Sequence, residues 1–478
     1  AYSCSSTPTT SVVSGTYYVI PHYLNFVSPS NLMSQTLCIG SDIKPVIFNY
    51  SAGYSTPSII WGSKGNPGVF SLTTSGTSLT LSGTLGASST ITQTTSYPFT
   101  IRLEGSEDAN SNCNTYEETG SIIVVVGPKL SLSSPSSTTD QTVCSGEAPS
   151  TVTYAISGAA SEVNLPTWKA NGKSIDQPSW IAYNPDVSGE FSLLSTGNPI
   201  SPVDVITVYE YELTTAVTKV GGFTCQEDTQ KGYITVYPDA TFTSEDFIAT
   251  GSVCEGDYFS KNIYFKNAKT ATASYSSDLG LSKTISYTTK QSFTFVVSGT
   301  ASAGQTNTLQ ILNDDQSGTF VEESFTYTAV QSSETSSTIA QGLKTKIESK
   351  FPSQFTVSIV PNEAKITLTA SANANMFGVR FLTSDQVEME VVSSTSVEGF
   401  ISLTATITTD LVTQTTTYPF EFKVENASCS SATLEYNLEV KPFEEIQTSG
   451  GTLSQTLCYN EAISPINITG GTAYAVSW

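Results

Sequence analysis

Eight cysteines and a single histidine, His22, are the residues of this chain best suited to chemistry. A thiol can serve as a nucleophile, as a metal ligand or as half of a disulfide, and spacing separates these roles. Nucleophilic catalysis by Cys or Ser needs a base within hydrogen-bond reach in every catalytic unit. One histidine, directly after Pro21, cannot serve several units. Zinc sites bring thiols together at short spacing, usually with histidine. Here neighbouring cysteines are 29 or more residues apart. Paired carboxylates do acid–base work without histidine, but the acids of this chain cluster in turns rather than recurring on one strand face. Disulfide formation is the remaining chemistry, so the chain reads as no enzyme, with all eight thiols oxidised in an oxidising compartment.

Oxygen ligands are the other candidates. Glu104, Glu107, Asp108, Asn110 and Asn112 crowd the segment before Cys113, and Asn313, Asp314 and Asp315 form a second acidic turn. Calcium takes six to eight oxygens. Neither cluster has a recognised calcium-loop spacing, and both read as solvated hairpin tips. Glu107, Asp108, Asp314 and Asp315 stand as the weaker, calcium-binding reading, and no other cofactor is expected.

The elements that must position the cysteines follow from a repeat. Four leading cysteines end similar runs: Gln35-Thr36-Leu37-Cys38, Gln141-Thr142-Val143-Cys144, Gly251-Ser252-Val253-Cys254 and Gln455-Thr456-Leu457-Cys458. The trailing cysteines, Cys4, Cys113, Cys225 and Cys429, each precede a β-rich run closed by Pro21, Pro128, Pro238 or Pro442. From each proline to the next leading cysteine the count is 17, 16, 16 and 16. A ruler of that regularity marks tandem units. The expected division is 1–21 as the last strand of a preceding repeat, repeats over 22–128 and 129–238, an enlarged repeat over 239–442, and 443–478 opening a following one. In the enlarged repeat an insertion is expected at about 305–385. It carries a helix over about 336–350, capped by Thr338-Ile339-Ala340-Gln341 and lined by Ile339, Leu343 and Ile347. It is expected to project from the side of its unit.

Composition agrees with β-structure. Charged residues are only 13% of the chain while Thr, Val, Ile, Tyr and Phe abound, which favours short strands over helices. Twenty-three Tyr, 22 Phe and 4 Trp exceed what a disordered Ser/Thr tract leaves unburied. A net charge of −22 with no basic stripe argues against nucleic acid and against anionic bilayers. No apolar run is long enough to span a membrane.

Trp61, Trp168 and Trp478 follow their leading cysteines by 23, 24 and 20 residues, as a core tryptophan on the third strand of an immunoglobulin-like sandwich does. Tyr97 and Tyr418 open the strand before a trailing cysteine, where a tyrosine corner sits. Tyr275 stands in for the missing tryptophan of the enlarged unit. Trp180 fits no repeat position and is the candidate exposed aromatic.

Three pairings are open to the cysteines. The preferred one is within units, Cys38–Cys113, Cys144–Cys225 and Cys254–Cys429, leaving Cys4 and Cys458 to partners elsewhere, because each unit then folds alone. A second joins neighbours across junctions, Cys4–Cys38, Cys113–Cys144, Cys225–Cys254 and Cys429–Cys458. A third follows if the leading cysteine lies at the far corner from its own hairpin. That end-to-end distance is roughly 25 Å, well beyond the about 7 Å that a disulfide tolerates between Cα atoms. It would then join the hairpin of the next unit, as Cys38–Cys225 and Cys144–Cys429.

Gly470-Gly471-Thr472-Ala473-Tyr474-Ala475-Val476-Ser477-Trp478 resembles the Gly-Gly-Thr…Tyr…Trp signature of repeats in gliding-motility adhesins of Bacteroidota. The Cys144-Ser145-Gly146 and Cys254-Glu255-Gly256 turns, with the trailing cysteine ahead of a Pro-closed strand, are similar to the same repeats and to polycystic-kidney-disease-like domains. The resemblance implies an all-β array of immunoglobulin-like sandwiches in an extended rod, secreted by a diderm bacterium and displayed on its surface. The expected role is a stalk or filament segment that presents an adhesive region for attachment or surface motility, its partners being the other repeats of the chain. Two other readings remain. One is a glycan-binding module using the insertion and exposed aromatics to engage an extracellular surface; the other is a filament subunit that assembles laterally.

Overall fold

The structure is a computed structural model. It describes residues 23–469 apart from 52–56, 87–90, 92, 105–114, 159–161, 186–188, 217–218, 221, 244–246, 315–319, 373–374, 385, 427–428, 430, 444–446, 450–453, 459 and 463. Cys4, His22, Glu107, Asp108, Cys113, Asp315, Trp478, the Gly470–Trp478 signature and the segment 1–21 lie outside the described residues.

The first unit is two four-stranded sheets. One runs Leu24–Phe26, Val46–Tyr50, Ser78–Leu85, Gly68–Ser75; the other runs Ser34–Cys38, Tyr116–Val125, Thr95–Leu103, Ser58–Trp61. The alternation in Thr95–Leu103 shows why. Tyr97, Phe99, Ile101 and Leu103 point into the core while Pro98, Thr100 and Arg102 face outward, the period-2 pattern of a half-buried strand. Phe48, Leu79 and Leu81 answer from the opposing sheet with no exposed surface. The second unit repeats the plan, with Lys129–Leu132, Val152–Ser157, Glu190–Ser195 and Ile181–Pro185 against a five-stranded sheet that ends in the Thr167–Ala170/Lys173–Ile175 hairpin. The third unit repeats it again, the Thr241–Phe242, Tyr258–Lys266, Glu398–Thr406, Ser282–Thr289 sheet facing Thr250–Cys254, Ser431–Lys441, Thr416–Glu425 and Thr270–Ser274. Strands Gln447–Ser449 and Asn467–Thr469 pair antiparallel in a separate two-stranded ladder.

Packing in each unit matches a large ring to a small neighbour. Phe99 lies opposite Gly120 and Tyr211 opposite Gly232; a Cβ on either glycine would fall 2.4 Å or 2.2 Å from the ring. In the third unit the partner of Phe420 is Tyr436, and the space comes instead from Gly251, whose added Cβ would meet the Tyr436 hydroxyl at 1.9 Å.

The insertion is wider than 305–385. Its strands begin at Ser292–Ala301 and end at Val387–Thr395, between the Ser282–Thr289 and Glu398–Thr406 strands of the third sandwich. It has its own core, built from two antiparallel sheets and one helix, Ser336–Lys350. Ile339, Ala340, Leu343 and Ile347 are the helix's buried face. The cap is Thr335, whose hydroxyl accepts the Thr338 N–H, rather than a box beginning at Thr338. An Ser/Thr oxygen three residues ahead of the acceptor-seeking N–H serves wherever the chain turns into helix, and here Ser336 and Ser337 already belong to it. Gly342 leaves room for Tyr327, whose ring would lie 2.1 Å from a Cβ there. The Tyr327 hydroxyl donates to Glu334 at 2.6 Å, and Glu334 also accepts from Val330 N and Gln331 N.

Candidate functional site: the junctions between units

Three of the four leading cysteines end a strand that pairs in parallel with the last strand of their own unit. Cys38 lies opposite Val125, Cys144 opposite Tyr237 and Cys254 opposite Lys441. That register carries the cysteine to the end where the chain leaves for the next unit. The residues after it form one tight turn four times over. The N–H of Ser41, Glu147, Asp257 and Glu461 donates to the carbonyl of Cys38, Cys144, Cys254 and Cys458 at 3.1, 3.1, 3.2 and 3.0 Å. The third turn residue has a positive φ in each, +82° at Gly40, +81° at Gly146, +82° at Gly256 and +74° at Asn460, which is where Gly and Asn cost least.

A glutamine three residues ahead of the cysteine holds this strand to the next. The Gln35 amide donates to Lys44 O and accepts Lys44 N at 2.8 and 2.9 Å; Gln141 does the same at Ser150 (2.9 and 2.7 Å) and Gln455 at Ser464 (2.8 and 2.8 Å). In the sequence this glutamine stands only as one letter of the leading-cysteine motif. Its recurrence before three leading cysteines, and its replacement by Gly251 before the fourth, was the signal.

The trailing cysteine sits at the other end. In the second unit the Thr207–Thr214 and Thr229–Tyr237 strands run away from the leading turn to the small Lys219–Val220/Phe223–Thr224 hairpin, after which comes Cys225. Nine strand residues at roughly 3.3 Å each separate the two ends by about 30 Å, so a bridge within a unit cannot close. The pairs Cys144–Cys225 and Cys254–Cys429 are therefore not formed, and Cys38–Cys113 and the neighbour pairs Cys4–Cys38, Cys113–Cys144, Cys225–Cys254 and Cys429–Cys458 each have a member bonded elsewhere. The bridges are Cys38–Cys225 and Cys144–Cys429, with Cα separations of 5.3 and 5.6 Å. Each joins the leading turn of one unit to the hairpin of the next. Cys254 and Cys458 are exposed thiols.

At the first junction, Asp228 beside the bridge accepts Leu130 N at 2.7 Å, a contact within the second unit. Gly158, with φ +75°, brings the backbone so close that a Cβ would meet Gly127 O at 2.0 Å. At the second, the insertion does not project; it docks on the second sandwich. Arg380 donates to both Asp140 oxygens at 2.9 and 2.8 Å, with its guanidinium 4.2 Å from the Tyr233 ring centre. Burial pushes the Tyr233 hydroxyl up to about 12, Glu210 adding to the shift while Arg380 and Lys231 oppose it. The Asn171–Gly172 turn meets the outer edge of Val387–Thr395, where Val391 N donates to Asn171 O at 3.0 Å. Gly172 (φ +81°) would carry its Cβ to 2.0 Å from Met389 O. Ile206, Tyr237, Met376 and Val397 close a small core against Cys144 and Cys429, and Lys266 pairs with Asp204 at 2.6 Å. The insertion's exposed edge is thereby covered. Nothing in the spacing of Arg380, Asn171 or Gly172 pointed to this contact.

At the third junction Glu255, almost fully buried, accepts Val412 N at 2.6 Å and Phe443 N at 2.9 Å. The Phe443 and Val412 N–H groups hold its carboxyl below the usual carboxylate range.

Trp168 and Trp180 are both buried, their rings 6.1 Å apart, and Trp180 also meets Tyr209 edge-on at 5.2 Å. Trp180 is thus no exposed platform; it fills the sandwich beside the repeat-position tryptophan. Trp61 is half-buried against Phe70 and Phe99. Tyr97 is buried and Tyr418 half-buried on their cores. Tyr275 packs on Phe420 at 5.7 Å, the separation of Trp61 from Phe99. Asp314 ends the Thr306–Asp314 strand. Among the described residues no group of three His, Cys, Asp or Glu is placed to hold a metal ion, and no helix is long and apolar enough to cross a membrane.

The architecture is a tandem array of immunoglobulin-like sandwiches. No family model matches the chain, and no curated protein does. Among solved structures, the I67–I69 fragment from the I-band of titin is 10% identical, with 89% of this chain and all of that one covered and a TM-score of 0.36. The complex of Dpr2 Ig1-Ig2 with DIP-Theta Ig1-Ig3 is 10% identical, covering 87% of this chain and 99% of that one, with a TM-score of 0.28.

Proposed function

We propose that this chain is a load-bearing segment of a secreted cell-surface stalk, an adhesin of the gliding-motility type whose repeats hold an adhesive region away from the cell. The observation that carries it is the pair of overlapping bridges, Cys38–Cys225 and Cys144–Cys429. A bridge inside a domain limits the extension of that domain only. A bridge between domains also prevents their separation, and two overlapping ones interlock three units. Disulfides of this kind suit an oxidising, extracellular setting. The acidic, low-charge surface suits a filament that avoids nucleic acid and anionic bilayers. The glycan-binding alternative loses Trp180 as its platform. Catalysis and a resident cofactor form no part of this reading.

Stretching the chain from its two ends tests it. With both bridges intact, the shortest covalent path runs to Cys38, back from Cys225 to Cys144, and on from Cys429. At roughly 3.4 Å per residue, that path of about 170 residues reaches about 580 Å, against about 1,600 Å for the reduced chain. Removing the second bridge by Cys144→Ser adds about 120 residues to the path, and removing the first by Cys38→Ser only about 25. An oxidised chain that extends as far as the reduced one would overturn the reading.

A further inference from the structure

Cys254 is exposed and unbonded, yet its surroundings repeat those of the two stapled leading cysteines. It ends a strand in the same parallel register, and the turn after it has the same carbonyl-to-N–H closure and the same positive φ as those at Cys38 and Cys144. At Cys38 the neighbouring hairpin, Lys219–Val220 with Phe223–Thr224, lies against the Ser34–Cys38 strand, and Cys38 is 1% exposed. Among the described residues no such cover lies at the end of the third unit. Phe443, the residue after the closing proline, is 61% exposed there. Its backbone is nonetheless pinned by the buried carboxylate of Glu255, the residue that follows Cys254.

We propose that Cys254 is the docking thiol for the hairpin cysteine of the next sandwich, the one opened by Gln447–Ser449 and Asn467–Thr469, and that Cys458 serves the sandwich after it. This deepens the stapled-stalk reading and rests on it. Leading and trailing cysteines of the two units without an insertion are 75 and 81 residues apart, so the partner of Cys254 belongs beyond Trp478. The bond forms by two thiol–disulfide exchanges. The Cys254 thiolate attacks the disulfide of an oxidant, a glutathione or oxidoreductase disulfide, and releases one thiol; the hairpin thiolate then attacks the mixed disulfide and releases the second. Two protons and two electrons leave the protein, and one oxidant disulfide becomes two thiols.

Peptide mapping of the intact protein, purified without reductant and alkylated, decides the matter. The expected product joins the Cys254 peptide to a peptide from beyond residue 478 whose cysteine precedes a proline-closed strand. An alkylated Cys254 overturns the proposal, as does a bond to Cys458 or to Cys254 of a second copy. The same map reports separately on Cys38–Cys225 and Cys144–Cys429. Those two bridges with a free Cys254 would leave the stalk reading standing and remove only this extension of it.

Discussion

The Arg380–Asp140 pair should respond unequally to the loss of its two members. Arg380 is 7% exposed at the side chain, whereas Asp140 is 51% exposed. Asp140→Ala takes the carboxylate from a guanidinium that burial keeps from water. The Thr235 hydroxyl at 3.5 Å and the Tyr233 ring stay beside it. Removing one partner of a buried ion pair costs about 3 kcal/mol or more. Arg380→Met keeps most of the buried stem and leaves a carboxylate that is already half in water, so it costs about 1 kcal/mol. The Val391 N–H, which bonds across the interface to Asn171 O, provides the assay, because its hydrogen exchange requires the insertion to undock. In the oxidised chain, Asp140→Ala is expected to speed exchange at Val391 by about 100-fold and Arg380→Met by less than about 10-fold, a factor of ten for each 1.4 kcal/mol. Equal effects, or a larger one from Arg380→Met, would show that the interface is held by shape alone and would refute the reasoning.

Other outcomes follow from the packing. Gly120→Ala should destabilise the first unit by about 2 kcal/mol in urea unfolding, since its Cβ meets both Phe99 and the Met33 carbonyl. Gln141→Ala should cost about 2 kcal/mol by the same measurement, because it leaves Ser150 N and two carbonyls without their amide. The Tyr327–Glu334 hydrogen bond holds the Glu334 carboxyl below its usual range and pushes the Tyr327 hydroxyl up to about 12. Its contribution is therefore present from above the ordinary carboxylate pKa, about 4.3, up to the ordinary phenol value near 10. It is lost as pH falls through the depressed Glu334 value or rises through about 12. Tyr327→Phe should accordingly lower the melting temperature at pH 7 and have a shrinking effect at either extreme, read by thermal melts across pH.

By itself the sequence determined what local rules govern. The proline-to-cysteine ruler marked a repeat. Alternation in segments such as Thr95–Leu103 marked the strands, and the four-residue recurrence of Ile339, Leu343 and Ile347 marked the helix, because periodicity and turn chemistry act within a few residues. Tertiary structure decided everything that depends on which end of a sandwich a residue reaches. Cys38 and Cys225 are joined because a strand parallel to the unit's last one delivers the leading cysteine to the exit, while an antiparallel pair delivers the hairpin cysteine to the entrance. Spacing along the chain, 75 to 175 residues within units, 29 to 34 between neighbours and 187 or 285 for the bridges formed, does not say which cysteines meet. The docked insertion was equally hidden. Arg380 and Asp140 stand 240 residues apart, and Gly172 is indispensable only because the Met389 carbonyl of another unit occupies the space where a side chain would begin.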